Sequence, residues 1–389
     1  MAPTAQELLA AARELQPALR ERAAQTEAER RIPKESGEAL LQTGLLRAVQ
    51  PKRWGGSEVD PWVFNQAIMT LAEACGSTGW VLGVVGVHNW QLGLFPEEAQ
   101  EEVWGEDPSL QISSSYAPTG QVEAVPGGFR LSGTWAFSSG CDLCDWVFLG
   151  GIVPGAGFDM RTFLLPRSDY RIDDNWQVMG LRGTGSKNIV VEGAFVPEHR
   201  THRMADGFAC QSPGQAVNPG PLYRLPFGCV FASCVAAPAV GAARGALRAL
   251  VDQAEGRFST LDGQLAAEDP IVRSVLARSA SEIDAAAASF ERHWEELLAL
   301  AEAGAPMPIP LRARFRSELA FAVERCTRAV FDLFQVGGSR AIFDDNPLQR
   351  LLRDAIAMRA HAINNPDKAG QLRAQVELGA NDDAFAGFL

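Results

Sequence analysis

The apolar residues of this chain change their period twice, and that double change restricts its fold more than any single motif does. From Ala5 to Thr26, Leu8, Leu9, Ala12, Leu15 and Leu19 recur near helical spacing. Further helices are predicted over Pro33–Thr43, closed by Gly44, and over Pro61–Cys75 and Pro96–Trp104, each opened by proline. From Gln111 to about Arg203 the pattern breaks into short strand-like pieces: Phe129–Leu131, Trp146–Gly150, Thr162–Leu165, Asn188–Val191 and Ala194–Val196. Glycine pairs at 127–128 and 150–151 supply turns between them. Helical spacing returns over Val235–Glu255, Pro270–Ala303, Leu311–Phe334 and Asn346–Ile363. The reading is mainly α with a central β domain. An N-terminal helical domain takes residues 1–110 and a small β-barrel takes 111–206. A mobile Gly- and Pro-rich loop takes 207–226, and a four-helix bundle takes 227–389.

Charge narrows the partners. Lys and Arg number 35 against 47 Asp and Glu, a net charge of −12. Such a chain repels a phosphate backbone and anionic lipid, so neither a nucleic acid nor a membrane is expected as partner. Arg312, Arg314 and Arg316, the densest basic stretch, are interrupted by apolar residues and read as a helix face. No unbroken run of 18 apolar residues occurs, and Met1–Gln16 lacks a signal-peptide pattern, so a cytoplasmic protein is expected. Seven scattered cysteines fit reduced thiols. Cys141 and Cys144 form a CxxC with no second ligand pair at zinc spacing, which reads as a turn beside a strand; no metal is expected. No GxGxxG opens a helix, so NAD(P)H is not expected to bind here.

A few side chains invite a chemical reading. His88 lies in an otherwise apolar run, Val81–Leu94, and a buried imidazole needs partners. It is either a pocket group or a core histidine held by backbone. Trp90 and Trp135 could roof a pocket or pack a core.

Three stretches, in order, carry a resemblance: GTWAFSSG at 133–140, MGLRGTGS at 179–186 followed by Val190–Pro197, and NPLQRLLRD at 346–354. Together they resemble the acyl-CoA dehydrogenase superfamily, whose helical domain, small barrel and four-helix bundle match the order above. The segment after the last motif reads MRAHAINNP at 358–366, with His361 and no glutamate. That resembles the superfamily's flavin-dependent monooxygenases. Longer words, ACGSTGW at 74–80, GVHNW at 86–90, EEVWGEDP at 101–108, ISSSYAP at 112–118, SSGCD at 138–142 and GLRGTGS at 180–186, are similar to the oxygenases that hydroxylate a steroid-derived phenol.

The resemblance implies a homotetrameric oxygenase component that uses reduced FMN or FAD from a separate NAD(P)H-dependent flavin reductase. It would pass oxygen from a C4a-hydroperoxyflavin to a small aromatic substrate. Indole or another heteroaromatic is an alternative substrate, and acyl-CoA dehydrogenation an alternative reaction. Catalytic roles are implied for His361, His88 and Ser139. Flavin contacts are implied for Ser138, Ser139, Ser114, Tyr116, Trp135, Arg257, Gly337, Gly338 and Ser339, and pocket contacts for Trp90, Asn364 and Asn365. A phenol of pKa about 10 is roughly one-thousandth ionised at pH 7, a gap of about 4 kcal/mol. A histidine titrating near neutrality at 361 is expected to share that proton.

Overall fold

The computed structural model describes residues 2–155, 157–258 and 263–379. The N-terminal helices are α1 (Ala5–Glu21), α2 (Ala23–Glu29), α3 (Lys34–Gln42), α4 (Pro61–Ala74), α5 (Gly76–Leu92) and α6 (Glu97–Trp104). Thr4 and Glu7 form a reciprocal capping box on α1, and Asp60 caps α4 by accepting from the Trp62 amide at 2.6 Å. The helix predicted over Ala5–Thr26 is two helices, broken at Arg22. Sequence periodicity did not single out α5. All seventeen of its residues are buried, so it has no polar face to reveal it. Its glycines admit neighbours: a Cβ on Gly83 would lie 2.5 Å from the Cys234 carbonyl oxygen, and one on Gly86 would lie 2.5 Å from the Phe64 ring.

Eight strands follow: β1 (Ile112–Ser115), β2 (Gln121–Val125), β3 (Gly128–Ser138), β4 (Trp146–Val153), β5 (Asp159–Pro166), β6 (Arg171–Asp173), β7 (Lys187–Pro197) and β8 (Thr201–Arg203). They form two four-stranded sheets, ordered β1-β4-β5-β8 and β2-β3-β7-β6. Only the β1–β4 pair is parallel among the described pairings. Phe129, Leu131, Trp135, Val147, Leu149 and Phe163 fill the core between the sheets. Register shifts interrupt the β3–β7 ladder at Leu131/Ser132 and at Trp135/Ser138. The second shift turns Phe137 to φ +67° and out into solvent, and it aims the chain end at Ser138 and Ser139.

The segment 207–226, expected as a mobile loop, is packed instead. The short helix α7 (Met204–Ala209) and helical turns at Pro213–Ala216 and Pro221–Arg224 run along the helical domain. Tyr223 Oη donates to the Val49 carbonyl at 3.1 Å, and Asn218 Nδ2 donates to that of Gly93 at 2.8 Å. The glycines and prolines make turns, and each turn carries a side chain that anchors it.

The C-terminal helices are α8 (Phe227–Ala254), α9 (Pro270–Glu302), α10 (Ile309–Val336), α11 (Pro347–Ala360) and α12 (Pro366–Glu377). Beyond the helix expected over Asn346–Ile363, Pro366 opens a further helix, α12, with Asn365 as its cap. By length and hydropathy α8 could cross a bilayer, although the sequence holds no unbroken apolar run; 89% of its most apolar window is buried among neighbouring helices. Its close contact with α4 depends on Gly241, where a Cβ would stand 2.2 Å from the Met69 carbonyl oxygen.

Candidate active site

Four pieces of chain meet at the end of β3. They are Ser138–Gly140, the loop 179–186, one face of α5, and the turn that follows α11. The loop is held by Asp354 of α11, whose Oδ1 accepts from the Leu181 amide at 2.6 Å. Leu181 sits at φ +52°, and its carbonyl accepts from Trp176 Nε1 at 3.1 Å and from Thr184 Oγ1 at 2.8 Å. Thr184 Oγ1 lies 2.6 Å from Ser186 Oγ, which lies 2.7 Å from Ser139 Oγ. Trp80 of α5 donates its indole N–H to Ser139 Oγ at 3.1 Å. Ser139 is half-buried, whereas Ser138 is fully buried and its hydroxyl has no hydrogen-bond partner among the described residues.

Two histidines, His88 within α5 and His361 at the end of α11, are held in opposite tautomers by their hydrogen bonds. His88 Nδ1 is 2.6 Å from the Ile112 carbonyl oxygen, which can only accept, so the proton is on Nδ1. His88 Nε2 is then a bare lone pair, buried and without a partner among the described residues. Tyr116, Phe148 and Phe231 surround the ring at centroid distances of 6.0, 5.7 and 6.4 Å. Burial pushes His88 down to about 4, against the opposing effect of the Ile112 carbonyl. Tyr116 packs edge-on to Phe231 at 5.0 Å and gives its proton to Gln91 Oε1; burial raises its pKa. Ser114 lies beside Tyr116, half-buried.

His361 is the residue that ends α11. Its Nδ1 accepts from the Ile363 amide at 3.3 Å, so the neutral ring carries its proton on Nε2. The ring meets Trp80 edge-on at 5.5 Å. Burial first, and the nearby Arg316 charge second, push His361 down to about 4. The expectation of a group titrating near neutrality is therefore corrected: at pH 7 the side chain is a neutral donor.

Other expected pocket residues are committed elsewhere. Trp90 is fully buried, with its N–H on the Leu222 carbonyl at 2.9 Å. Trp135 lies inside the sandwich core, fully buried, with its N–H on the Gly150 carbonyl at 2.8 Å. Asn364 donates to the Met358 and Val235 carbonyls at 2.8 and 3.3 Å, tying the turn to α8. Asn365 Oδ1 accepts from the Asp367 and Lys368 amides as the cap of α12.

A second cluster joins residues far apart in sequence. Arg257 Nη2 donates to the Val336 carbonyl at 2.7 Å, while Nη1 is buried with no hydrogen-bond partner among the described residues. Gly338 has φ +69°, and a Cβ there would lie 3.0 Å from that Nη1. Gly337 ends α10, and Ser339 opens the next turn. A buried guanidinium edge beside bare glycine backbone fits an anionic group such as a flavin phosphate. The orphan hydroxyl of Ser138 likewise leaves a polar atom for a cofactor to meet. No group of three or more His, Cys, Asp or Glu suited to a metal occurs among the described residues. Cys141 and Cys144 flank one turn, with their thiols on the carbonyls of Gly185 and Gly140 and raised by burial. Trp80, Thr184 and Ser186 were not singled out in the sequence, although two of the quoted words contain them.

Models of the acyl-CoA dehydrogenase N-terminal and C-terminal domains match residues 3–107 and 233–366, so the class is that of the acyl-CoA dehydrogenase fold. Within it, the flavin-dependent monooxygenase oxygenase subunit HsaA of Rhodococcus jostii (strain RHA1) is 44% identical over 368 residues, covering 94% of this chain and 96% of that protein. The oxygenase component of FADH2-dependent resorcinol hydroxylase from Rhizobium sp. (strain MTP-10005) is 38% identical, covering 92% and 91%. The crystal structure of 3-HSA hydroxylase from Rhodococcus sp. RHA1 superposes with a TM-score of 0.92 at 43% identity, over 97% of this chain and 98% of that one. This chain belongs to the family of oxygenase subunits of flavin-dependent monooxygenases.

Proposed function

We propose that this chain is the oxygenase component of a two-component enzyme that hydroxylates a phenolic ring, steroid-derived as the resemblance of its sequence motifs implies. Reduced FMN or FAD arrives from a separate NAD(P)H-dependent flavin reductase, and O2 is the co-substrate. In this reading the enzyme is a cytoplasmic homotetramer. Phe321, Phe331 and Ile356, exposed on α10 and α11, support burial against other copies. Arg257, Gly337, Gly338 and Ser339 hold the flavin phosphates. Ser139 accepts from the flavin N5–H, with Ser138, Ser114 and Tyr116 nearby. Bound reduced flavin supplies the electrons that activate O2 for transfer of one oxygen atom to the ring.

The observation that carries the reading is the pair of neutral histidines with opposite tautomers. His88 Nε2 offers a lone pair to the phenol O–H. His361 Nε2–H offers a donor to substrate oxygen on the Trp80 side. Trp80 packs against His361, and Tyr116 and Phe231 pack around His88, so apolar rings lie against both groups and keep water from them. A histidine near 4 is too weak a base to ionise a resting phenol. It suffices once the ring attacks oxygen, because the phenol proton becomes strongly acidic as its oxygen turns carbonyl-like.

The test is turnover under 18O2 with a generic flavin reductase, NADH and a panel of simple and steroid-derived phenols. One labelled atom should enter the phenolic product. Labelled oxygen confined to water and H2O2 across the panel, or oxidation of an acyl-CoA without a reductase, would refute the reading.

A further inference from the structure

The hydroxyl chain at the end of β3 has only one proton arrangement. Each hydroxyl owns a single proton. Thr184 gives its own to the Leu181 carbonyl, which cannot donate. Thr184 Oγ1 must therefore accept at the 2.6 Å contact, so the proton there belongs to Ser186. With that proton used, Ser186 can only accept at its 2.7 Å contact with Ser139, so Ser139 is the donor there. Trp80 N–H occupies one lone pair of Ser139 Oγ. Ser139 is left half-buried with one lone pair and no free proton.

We infer that Trp80, Thr184 and Ser186 act as positioning residues that make the site selective for the reduced state of the flavin. The inference rests on the reading above that Ser139 faces flavin N5. Reduced flavin carries a hydrogen at N5 and suits an acceptor. Oxidised flavin presents a lone pair at N5 and faces another lone pair. The chain thus retains the form that reacts with O2 and releases the form the reductase needs back.

The Leu181 end makes the direction permanent. The backbone carbonyl cannot reverse its role, and Asp354 pins the Leu181 amide from the other side. A rotating serine on its own would serve both redox states equally.

The experiment is equilibrium titration of the full-length protein with FMNH2 under anaerobic conditions and with FMN in air, read by protein and flavin fluorescence. The wild type should bind FMNH2 at least about 10-fold more tightly, as expected for one hydrogen bond gained against one lone-pair conflict. Ser186→Ala frees the Ser139 proton. The ratio of the two dissociation constants should then shrink by about 10-fold, mainly because FMN binds more tightly. Thr184→Val should act in the same direction, and Thr184→Ser should restore the wild-type ratio. These two variants keep the test open if Ser186→Ala folds poorly. Ser139→Ala should weaken FMNH2 by loss of the acceptor and tighten FMN by loss of the lone-pair conflict. If Ser139→Ala changes the ratio while Ser186→Ala and Thr184→Val leave it as in the wild type, the selector is wrong and the placement of Ser139 stands. If Ser139→Ala moves neither constant, the placement itself fails and takes the selector with it.

Discussion

Replacing Asp354 with asparagine should stabilise the protein at neutral pH, even though Asp354 anchors the loop that carries Thr184 and Ser186. Its carboxyl is buried and accepts from the Leu181 amide. Burial raises its pKa from an ordinary 3.8 to about 6, with the Leu181 hydrogen bond working in the opposite direction. The folded protein therefore holds this proton more tightly than the unfolded chain does. Stability from this group is full below about pH 4 and is lost as pH rises to 6. A difference of about two pKa units corresponds to roughly 3 kcal/mol lost above that window. Asparagine keeps a carbonyl oxygen for Leu181 and carries no charge. Its amide hydrogens need partners in a tight space, where a Cβ on Gly76 would already lie 2.7 Å from Oδ2. Setting about 1 kcal/mol against that leaves a net gain of about 1–2 kcal/mol at pH 8. His88, His202 and His361, each pushed down to about 4 by burial, run the other way and destabilise the fold as pH falls from 6.5 to 4. The wild-type curve therefore mixes both signs, and the variant-minus-wild-type difference isolates Asp354. Urea unfolding of both proteins between pH 4.5 and 8 measures it. A gap that grows toward acid, or an Asp354→Asn protein less stable at pH 8, would refute the reasoning.

Other perturbations separate chemistry from packing. His361→Gln should keep reduced-flavin consumption but lower product per NADH by about 10-fold, with H2O2 making up the difference; an unchanged product yield would remove His361 from the reaction. Trp135→Phe should cost about 1–3 kcal/mol in urea unfolding by removing the buried hydrogen bond to the Gly150 carbonyl, and leave flavin affinity alone. A large loss of flavin affinity without that destabilisation would return Trp135 to the cofactor site. Gly241→Ala should cost about 2–3 kcal/mol in the same assay, because its Cβ meets backbone and not a movable side chain; a neutral result would mean that α4 and α8 can part easily.

Much of the fold was legible because its breaks are chemical. Prolines at helix starts and the glycine pair at 127–128 placed many elements within a few residues, whereas Gly150 and Gly151, expected in a turn, lie inside β4 and pair with β5. What escaped has a common cause, which is burial on every side. Helix α5 is buried around its whole circumference, so no periodicity marks it, and its four glycines are points of close contact. The segment 207–226 escaped for the reverse reason. Its composition predicts turns correctly, but not that Tyr223 and Asn218 fix those turns to residues more than a hundred positions away.

The site shows where reading of a sequence stops, in the protonation of its own groups. His88 and His361 could be nominated from an imidazole in an apolar run and from the missing glutamate after the last motif. Which nitrogen of each bears the proton was not legible. His361 takes its tautomer from an amide two residues on, His88 from a carbonyl 24 residues on in a strand that packs across α5. The same holds for Ser139, whose role as acceptor depends on a proton count ending at Leu181, more than forty residues away. Residue types nominate a site, but the direction in which its protons point is set by backbone groups that only the assembled fold brings near. A variant that leaves every named side chain in place and moves one such backbone group, Leu181 above all, should therefore disturb the chemistry as much as losing a side chain does.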